Sequence, residues 1–185
     1  MTVYNVGLPR TATRSIDHLF KQIGFSTKHA LQDYDNYKFD IDHLLKNKHL
    51  FKQTNTFYSD TPVWNPIFWE VLDLKKAKII HTFRDKESWI NSVQKFNYFK
   101  QQNYFPKDKF WFKGYFDRID KHYLSNVYDD HIKQLNYFDN VLSIDVINQS
   151  PGLIIDKICN FIEVKQQPYY ELPVIGKSLH VKPVI

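Results

Sequence analysis

Val6-Gly7-Leu8-Pro9-Arg10-Thr11-Ala12-Thr13-Arg14-Ser15 stands between an apolar run and an amphipathic one. Upstream, Val3, Tyr4 and Val6 read as a short strand. Downstream, Ile16, Leu19, Phe20 and Ile23 keep the i, i+3, i+4, i+7 spacing of a helix, with Gly24 placed to close it. The stretch is therefore a strand, a tight loop and a helix start. The first amides of a helix lack intrahelical acceptors and carry partial positive charge. Arg10 and Arg14 add full charges there, and Thr11, Thr13 and Ser15 can donate hydrogen bonds. This predicts a site for a phosphate-like anion. The plainer alternative is an ordinary loop capped by Ser15, with its arginines facing water.

The rest of the chain alternates in the same way. Phe25 to Asp42 is polar, with a turn at Asp33-Tyr34-Asp35-Asn36, and a short helix is expected from about Asp40 to Leu50. Thr56 to Ser59, Ala77 to Phe83 and Val141 to Val146 read as strands. Helices are expected from Pro62, with Ile67, Phe68, Val71 and Leu72 inward, and from Lys86 or Glu87, carrying Trp89, Ile90, Ser92 and Val93, where Trp89 either packs the helix on the sheet or shapes a ligand-contact surface. Two more run through Ile119, Tyr123 and Val127, and from Pro151 through Ile162. Strands alternating with helices predict an α/β three-layer sandwich with a mainly parallel sheet, in one domain spanning 1–185. Ligands of such sheets gather beyond the carboxyl ends of the strands.

A chain of 185 residues, 43% hydrophobic, can bury a real core. Its formal charge of +5 favours anionic partners, but the charge is interspersed and identifies no nucleic acid. The single cysteine, Cys159, excludes an internal disulfide framework and a cysteine-only metal site. With no signal-like segment and no apolar run near the ~20 residues of a membrane span, a soluble, cytoplasmic protein is expected. Phe96 to Phe116 is dense in aromatics interrupted by lysines. That pattern suits helix core beside basic surface, a lid over an organic-substrate pocket, or, third, a base-stacking face. Asp129-Asp130-His131 lacks a second group of ligands and reads as polar surface rather than metal chemistry.

A second anion cluster follows the strand ending at Phe83. Arg84 closes that strand, and Ser92 lies two helical turns beyond; a guanidinium fork and a hydroxyl can hold a terminal phosphate together. A ligand with phosphates at both ends accounts for both clusters better than a monophosphate does.

With both clusters in place the sequence resembles the sulfotransferases that use 3′-phosphoadenosine 5′-phosphosulfate. Gly7-Leu8-Pro9-Arg10-Thr11-Ala12-Thr13-Arg14-Ser15 resembles their 5′-phosphosulfate loop, and Phe83-Arg84-Asp85-Lys86-Glu87-Ser88-Trp89-Ile90-Asn91-Ser92 their 3′-phosphate segment. Val141 to Asp145, followed by Ile158 to Val164, resembles the late strand and helix of the family. Asp60-Thr61-Pro62 is an altered form of the Asp-aromatic-Pro pattern of compact members. The resemblance implies a sheet like that of P-loop nucleotide kinases and a sulfuryl transfer to an acceptor hydroxyl or, second, an amine. It assigns Gly7 and Pro9 through Ser15 to the donor's phosphosulfate end, with Arg10 on the bridging oxygens and Thr13 and Arg14 on phosphate. Arg84 and Ser92 take the 3′-phosphate. Ala12, Arg14 and Lys86 depart from the usual glycine, hydroxyl and proline.

An ATP- or GTP-using kinase or hydrolase is the rival enzyme class. Its G-x-x-x-x-G-K-[ST] loop fails here, since Ala12 stands for the second glycine and Thr13 for the lysine. A non-enzymatic anion or nucleic-acid module is the other alternative. The anion site itself requires no metal. For the general base the first choice is Asp60, before Pro62, and His29 is the chief rival, its imidazole matched to neutral pH. Capping of the next helix is the competing role for Asp60. The expected acceptor is a small molecule or glycan of open identity, and exposed aromatic surface is compatible with a homodimer.

Overall fold

The computed structural model describes residues 1–29, 48–60, 63–72, 74–102 and 120–173. In chain order the elements are β1 (Thr2–Asn5), α1 (Thr13–Ile23), β2 (Ser26–His29), a 3-10 turn at Lys48–Phe51, β3 (Thr56–Ser59), and a 3-10 turn at Pro66–Phe68 entering α2 (Trp69–Leu72). A further 3-10 turn at Leu74–Lys76 leads to β4 (Lys78–Phe83), followed by α3 (Lys86–Gln102), α4 (Lys121–Leu135), β5 (Val141–Asp145) and α5 (Pro151–Phe161). The five strands form one sheet in the order β2-β3-β1-β4-β5, and every pairing is parallel.

Side-chain alternation along the strands divides the core into two faces. Val3, Phe57 and Ile80 pack with Ile16, Leu19 and Phe20 of α1 and with Ile154, Ile155 and Ile158 of α5. Tyr4, Tyr58 and Ile79, one position along, pack on the other face with Phe51, Trp69, Leu72 and Leu135. The result is helices on both faces of a parallel sheet. A third cluster, of Leu8, Trp64, Trp89, Ile90, Val93 and Leu124, lies under the loop that follows β1.

Register sets the level of each loop. Asn5 pairs with Ser59 and with Ile80, and His29 pairs with Ser59, so these four residues form a row across the sheet. β4 continues three residues past that row, to Phe83. The chain leaving β1 therefore runs alongside β4, and the Val6 amide donates to the Ile80 carbonyl at 2.8 Å. Gly7 lies so close to β4 that a Cβ there would collide with the hydroxyl and the carbonyl oxygen of Thr82.

The mainly parallel α/β sandwich is borne out, and several boundaries move. β2 was not expected within the polar stretch after Phe25. Its Ser-Thr-Lys-His sequence has no apolar alternation and is held by backbone pairing to β3. The helix expected from Pro62 instead begins as a turn and a 3-10 segment, with four α-helical residues from Trp69. Pro66 has no amide to donate and disfavours helical geometry at the residue before it. The turn at residues 33–36, the aromatic stretch beyond Gln102 and the helix expected from Asp40, apart from its end in the 3-10 turn at Lys48–Phe51, lie outside the described residues. Among the described residues, no helix is long and apolar enough to cross a membrane.

His131 corrects the reading of Asp129-Asp130-His131 as wholly polar surface. Asp129 and Asp130 are exposed, but His131 is buried, edge-on to Trp69 and 5.6 Å from the His81 ring. One side of an α-helix faces solvent while the residue one or two positions on can face the core.

Candidate active site

The loop after β1 is held by its own side chains. Thr11 Oγ1 donates to the Leu8 carbonyl at 2.6 Å and lies 2.9 Å from Thr82 Oγ1. Thr82 in turn donates to Asn5 Oδ1 at 3.1 Å, which also accepts from the Gly7 amide at 3.0 Å. Thr11 is thus buried in the frame of the loop, and what the loop offers outward is backbone amides and arginines.

Arg10 and Ala12 have left-handed backbones, with φ of 74° and 59°. Ala12 is the N-cap of α1 and has no side chain able to cap it, so the helix starts at Thr13, ahead of Ser15. The Ala12 carbonyl accepts from the Ser15 and Ile16 amides, while the Thr13 and Arg14 amides have no acceptor among the described residues. Left-handed residues beside a helix N-terminus form a concave set of amides that suits an anion.

Arginines converge on this point from two loops. Arg10 is half-buried with its guanidinium 4.5 Å from the centre of the Phe96 ring, and Arg14 is exposed. Arg84 follows β4 and is also half-buried. Burial first, then the charges of Arg84 and Arg14, push the Arg10 pKa down, with Asp60 opposing. Burial lowers that of Arg84 as well, opposed by Asp85. The Nε atoms of Arg10 and Arg84 are buried without a hydrogen-bond partner among the described residues. Like charges brought together with buried donors left over are a cradle for a multiply charged anion.

The other residues from Phe83 to Ser92 divide their roles. Asp85 Oδ1 accepts from the Ser88 amide at 2.8 Å and caps α3. Ser92 is half-buried in α3, two turns beyond Arg84. Trp89 is fully buried, and its indole N–H donates to the Pro9 carbonyl at 2.9 Å. Sequence reading left Trp89 undecided between packing and shaping the ligand surface, and passed over Tyr128, whose hydroxyl donates to the Arg84 carbonyl at 2.8 Å.

The two candidates for the base meet in the fold. Asp60, at the carboxyl end of β3, has φ of 63° and accepts from Thr13 Oγ1 at 3.1 Å through Oδ2. The same oxygen lies 3.7 Å from His29 Nε2, and His29 Nδ1 is 2.8 Å from Ser59 Oγ. β2 pairing with β3 makes His29 and Ser59 direct cross-strand neighbours, which is why their side chains meet. The Asp60 carbonyl accepts from the Trp64 amide at 3.3 Å, and the next α-helical residues described begin at Trp69.

A sequence model of the sulfotransferase domain matches residues 2–140, three quarters of the chain and all of the site just described. The chain belongs to the sulfotransferase domain family. No curated protein matches it closely enough to narrow that assignment. In this sulfotransferase the all-parallel sheet with flanking helices fits the P-loop-like fold that the resemblance implied, and all the elements around the cradle fall within the matched region.

Proposed function

We propose that this sulfotransferase moves a sulfuryl group from 3′-phosphoadenosine 5′-phosphosulfate to an acceptor hydroxyl. The convergence of Arg10 and Arg84, carried by separate loops with buried Nε donors still unmatched among the described residues, is the observation that carries the reading. A donor with phosphate at both the 3′ and 5′ positions calls for two such anion loops. Arg10, Arg14 and the amides of residues 10–14 would hold its 5′ end, and Arg84 with Ser92 its 3′-phosphate.

When bound, the donor supplies the sulfuryl group, whose bond to the 5′-phosphate oxygen breaks as a bond to the acceptor oxygen forms. Arg10 and the helix-start amides neutralise the negative charge that grows on that phosphate oxygen, which is selective binding of the transition state. Asp60, paired with His29, takes the acceptor's proton. Thr13 fixes the Asp60 carboxylate by hydrogen bonding, and Ser59 fixes the ring of His29.

Calorimetry with adenosine 3′,5′-bisphosphate, AMP and ATP tests the donor assignment, and labelled donor offered to phenols, sugars, lipid headgroups and peptides tests transfer. The bisphosphate is expected to bind more tightly than AMP or ATP. Arg84→Ala is expected to weaken the bisphosphate by about 10- to 100-fold, the scale of a lost charged hydrogen bond of about 1.5–3 kcal/mol, and to leave AMP nearly unchanged. Tighter binding of ATP, with magnesium-dependent release of its γ-phosphate, would replace this reading with a kinase or hydrolase.

A further inference from the structure

The two anion loops are tied to each other through a buried tryptophan and a partly buried tyrosine. Trp89, on the first turn of α3, donates its indole N–H to the Pro9 carbonyl, in the loop after β1, at 2.9 Å. Tyr128, on α4, donates its hydroxyl to the Arg84 carbonyl, in the loop after β4, at 2.8 Å. The two rings lie 5.7 Å apart, centre to centre. Each donor grips the backbone rather than the side chain of a loop, and each grips it at or next to the arginine that loop contributes. The pair thus forms a continuous link from Pro9 to Arg84.

Neighbouring contacts stiffen this link. Lys86 Nζ, at the start of α3, reaches both carboxylate oxygens of Asp129 on α4 at 2.9 and 2.8 Å, and Ser125 Oγ at 3.3 Å. Lys121 pairs with Glu87 at 2.8 Å across the same two helices. The Lys86 that departs from the family's usual proline therefore joins α3 to α4 beside Tyr128. Phe96, two turns along α3 from Trp89, lies under the Arg10 guanidinium. Arg10 and Arg84 repel each other, so a means of fixing their separation has a physical purpose.

We infer that Trp89 and Tyr128 are positioning residues that hold the two arginine loops at a fixed separation, so that the site measures the distance between the two phosphates of its ligand. This rests on the donor reading above. A ligand with one phosphate engages one loop and is indifferent to the separation. A ligand with two phosphates gains only when both loops are correctly spaced, because the preorganised site has no reordering to do on binding.

Tyr128→Phe keeps the ring and its contact with Trp89 and removes only the hydroxyl, and it is the main test; thermal melting confirms its fold. The probes are adenosine 3′,5′-bisphosphate, AMP and adenosine 3′-monophosphate, each titrated by calorimetry. The expected result is a three- to tenfold loss for the bisphosphate with both monophosphates within twofold of wild type. Trp89→Phe is expected to lower bisphosphate affinity too, and the double variant to lose less than the product of the two single losses, since either break already frees the separation. An equal loss for the 3′-monophosphate means that Tyr128 merely props Arg84, and overturns the inference. So do multiplying losses in the double variant, or an unchanged bisphosphate affinity in Tyr128→Phe. A wild type that binds the bisphosphate no better than AMP would instead overturn the donor reading, and this inference with it.

Discussion

Three of the five left-handed non-glycine residues among those described, Arg10, Ala12 and Asp60, lie at the candidate site. Such backbones cost of order 1–3 kcal/mol each and survive where the surroundings enforce them, which is common at functional sites. For Asp60 the strain turns the chain out of β3 at once and brings the carboxylate to both Thr13 and His29. If Asp60 and His29 act as one proton-accepting pair, Asp60→Asn and His29→Gln should each lower turnover by about 10²-fold or more, with bisphosphate affinity nearly intact. The double variant should be little worse than either single one, as is usual for groups that act as a unit. Near-normal turnover in one folded single variant would leave the other residue as the base. The sequence could rank these two only as rivals. Their proximity depends on β2 lying beside β3, and nothing in Ser26 to His29 announces a strand.

Among the elements, α1 has the least conventional start. Its N-cap is Ala12, with no side-chain cap and no acidic residue in the first turn. A left-handed alanine is roughly 1–2 kcal/mol less favourable than a glycine there, while glycine loses roughly 0.5–1 kcal/mol more chain entropy on folding. Glycine is also the better N-cap. Ala12→Gly should therefore raise the thermal midpoint by about 1–4 °C, at about 2–4 °C per kcal/mol for a chain of this size. A lower midpoint in differential scanning calorimetry would show that the Ala12 methyl contributes packing that outweighs the strain. The positions of α1 and of the loop before it were legible because a strand, a charged loop and an amphipathic helix are all written locally. The start of α2 was not. Phe68 and Leu72 are buried as their spacing suggests, but Pro66 interrupts the helix that the spacing implied.

For the molecule as a whole, the buried His81 and His131 make stability depend on acid. Burial holds His81 down to about 4, and burial, with His81 next, holds His131 down to about 3, the Val6 backbone opposing. Both sit below the ordinary value of about 6.5, so below pH 6.5 the unfolded chain binds more protons than the folded one. The stabilisation is complete above pH 6.5 and falls as pH drops towards 4 and 3, by about 1.4 kcal/mol per pH unit for each histidine. Urea midpoints at pH 7, 5.5 and 4.5 should fall steeply for the wild type and roughly half as steeply for His131→Phe; parallel curves would exclude His131 as a source. The order of the strands has another consequence, for synthesis. β1 leaves the ribosome first yet occupies the middle of the sheet, and its partners begin at Thr56 and Lys78. Gly7 takes its place against Thr82, and the Pro9 carbonyl waits for Trp89. At about 5–20 residues per second, the nascent chain carries the loop after β1 unshaped for several seconds, until a further 80 residues have followed it. A polypeptide released before Trp89 would contain every letter of the first motif and have no site to show for it.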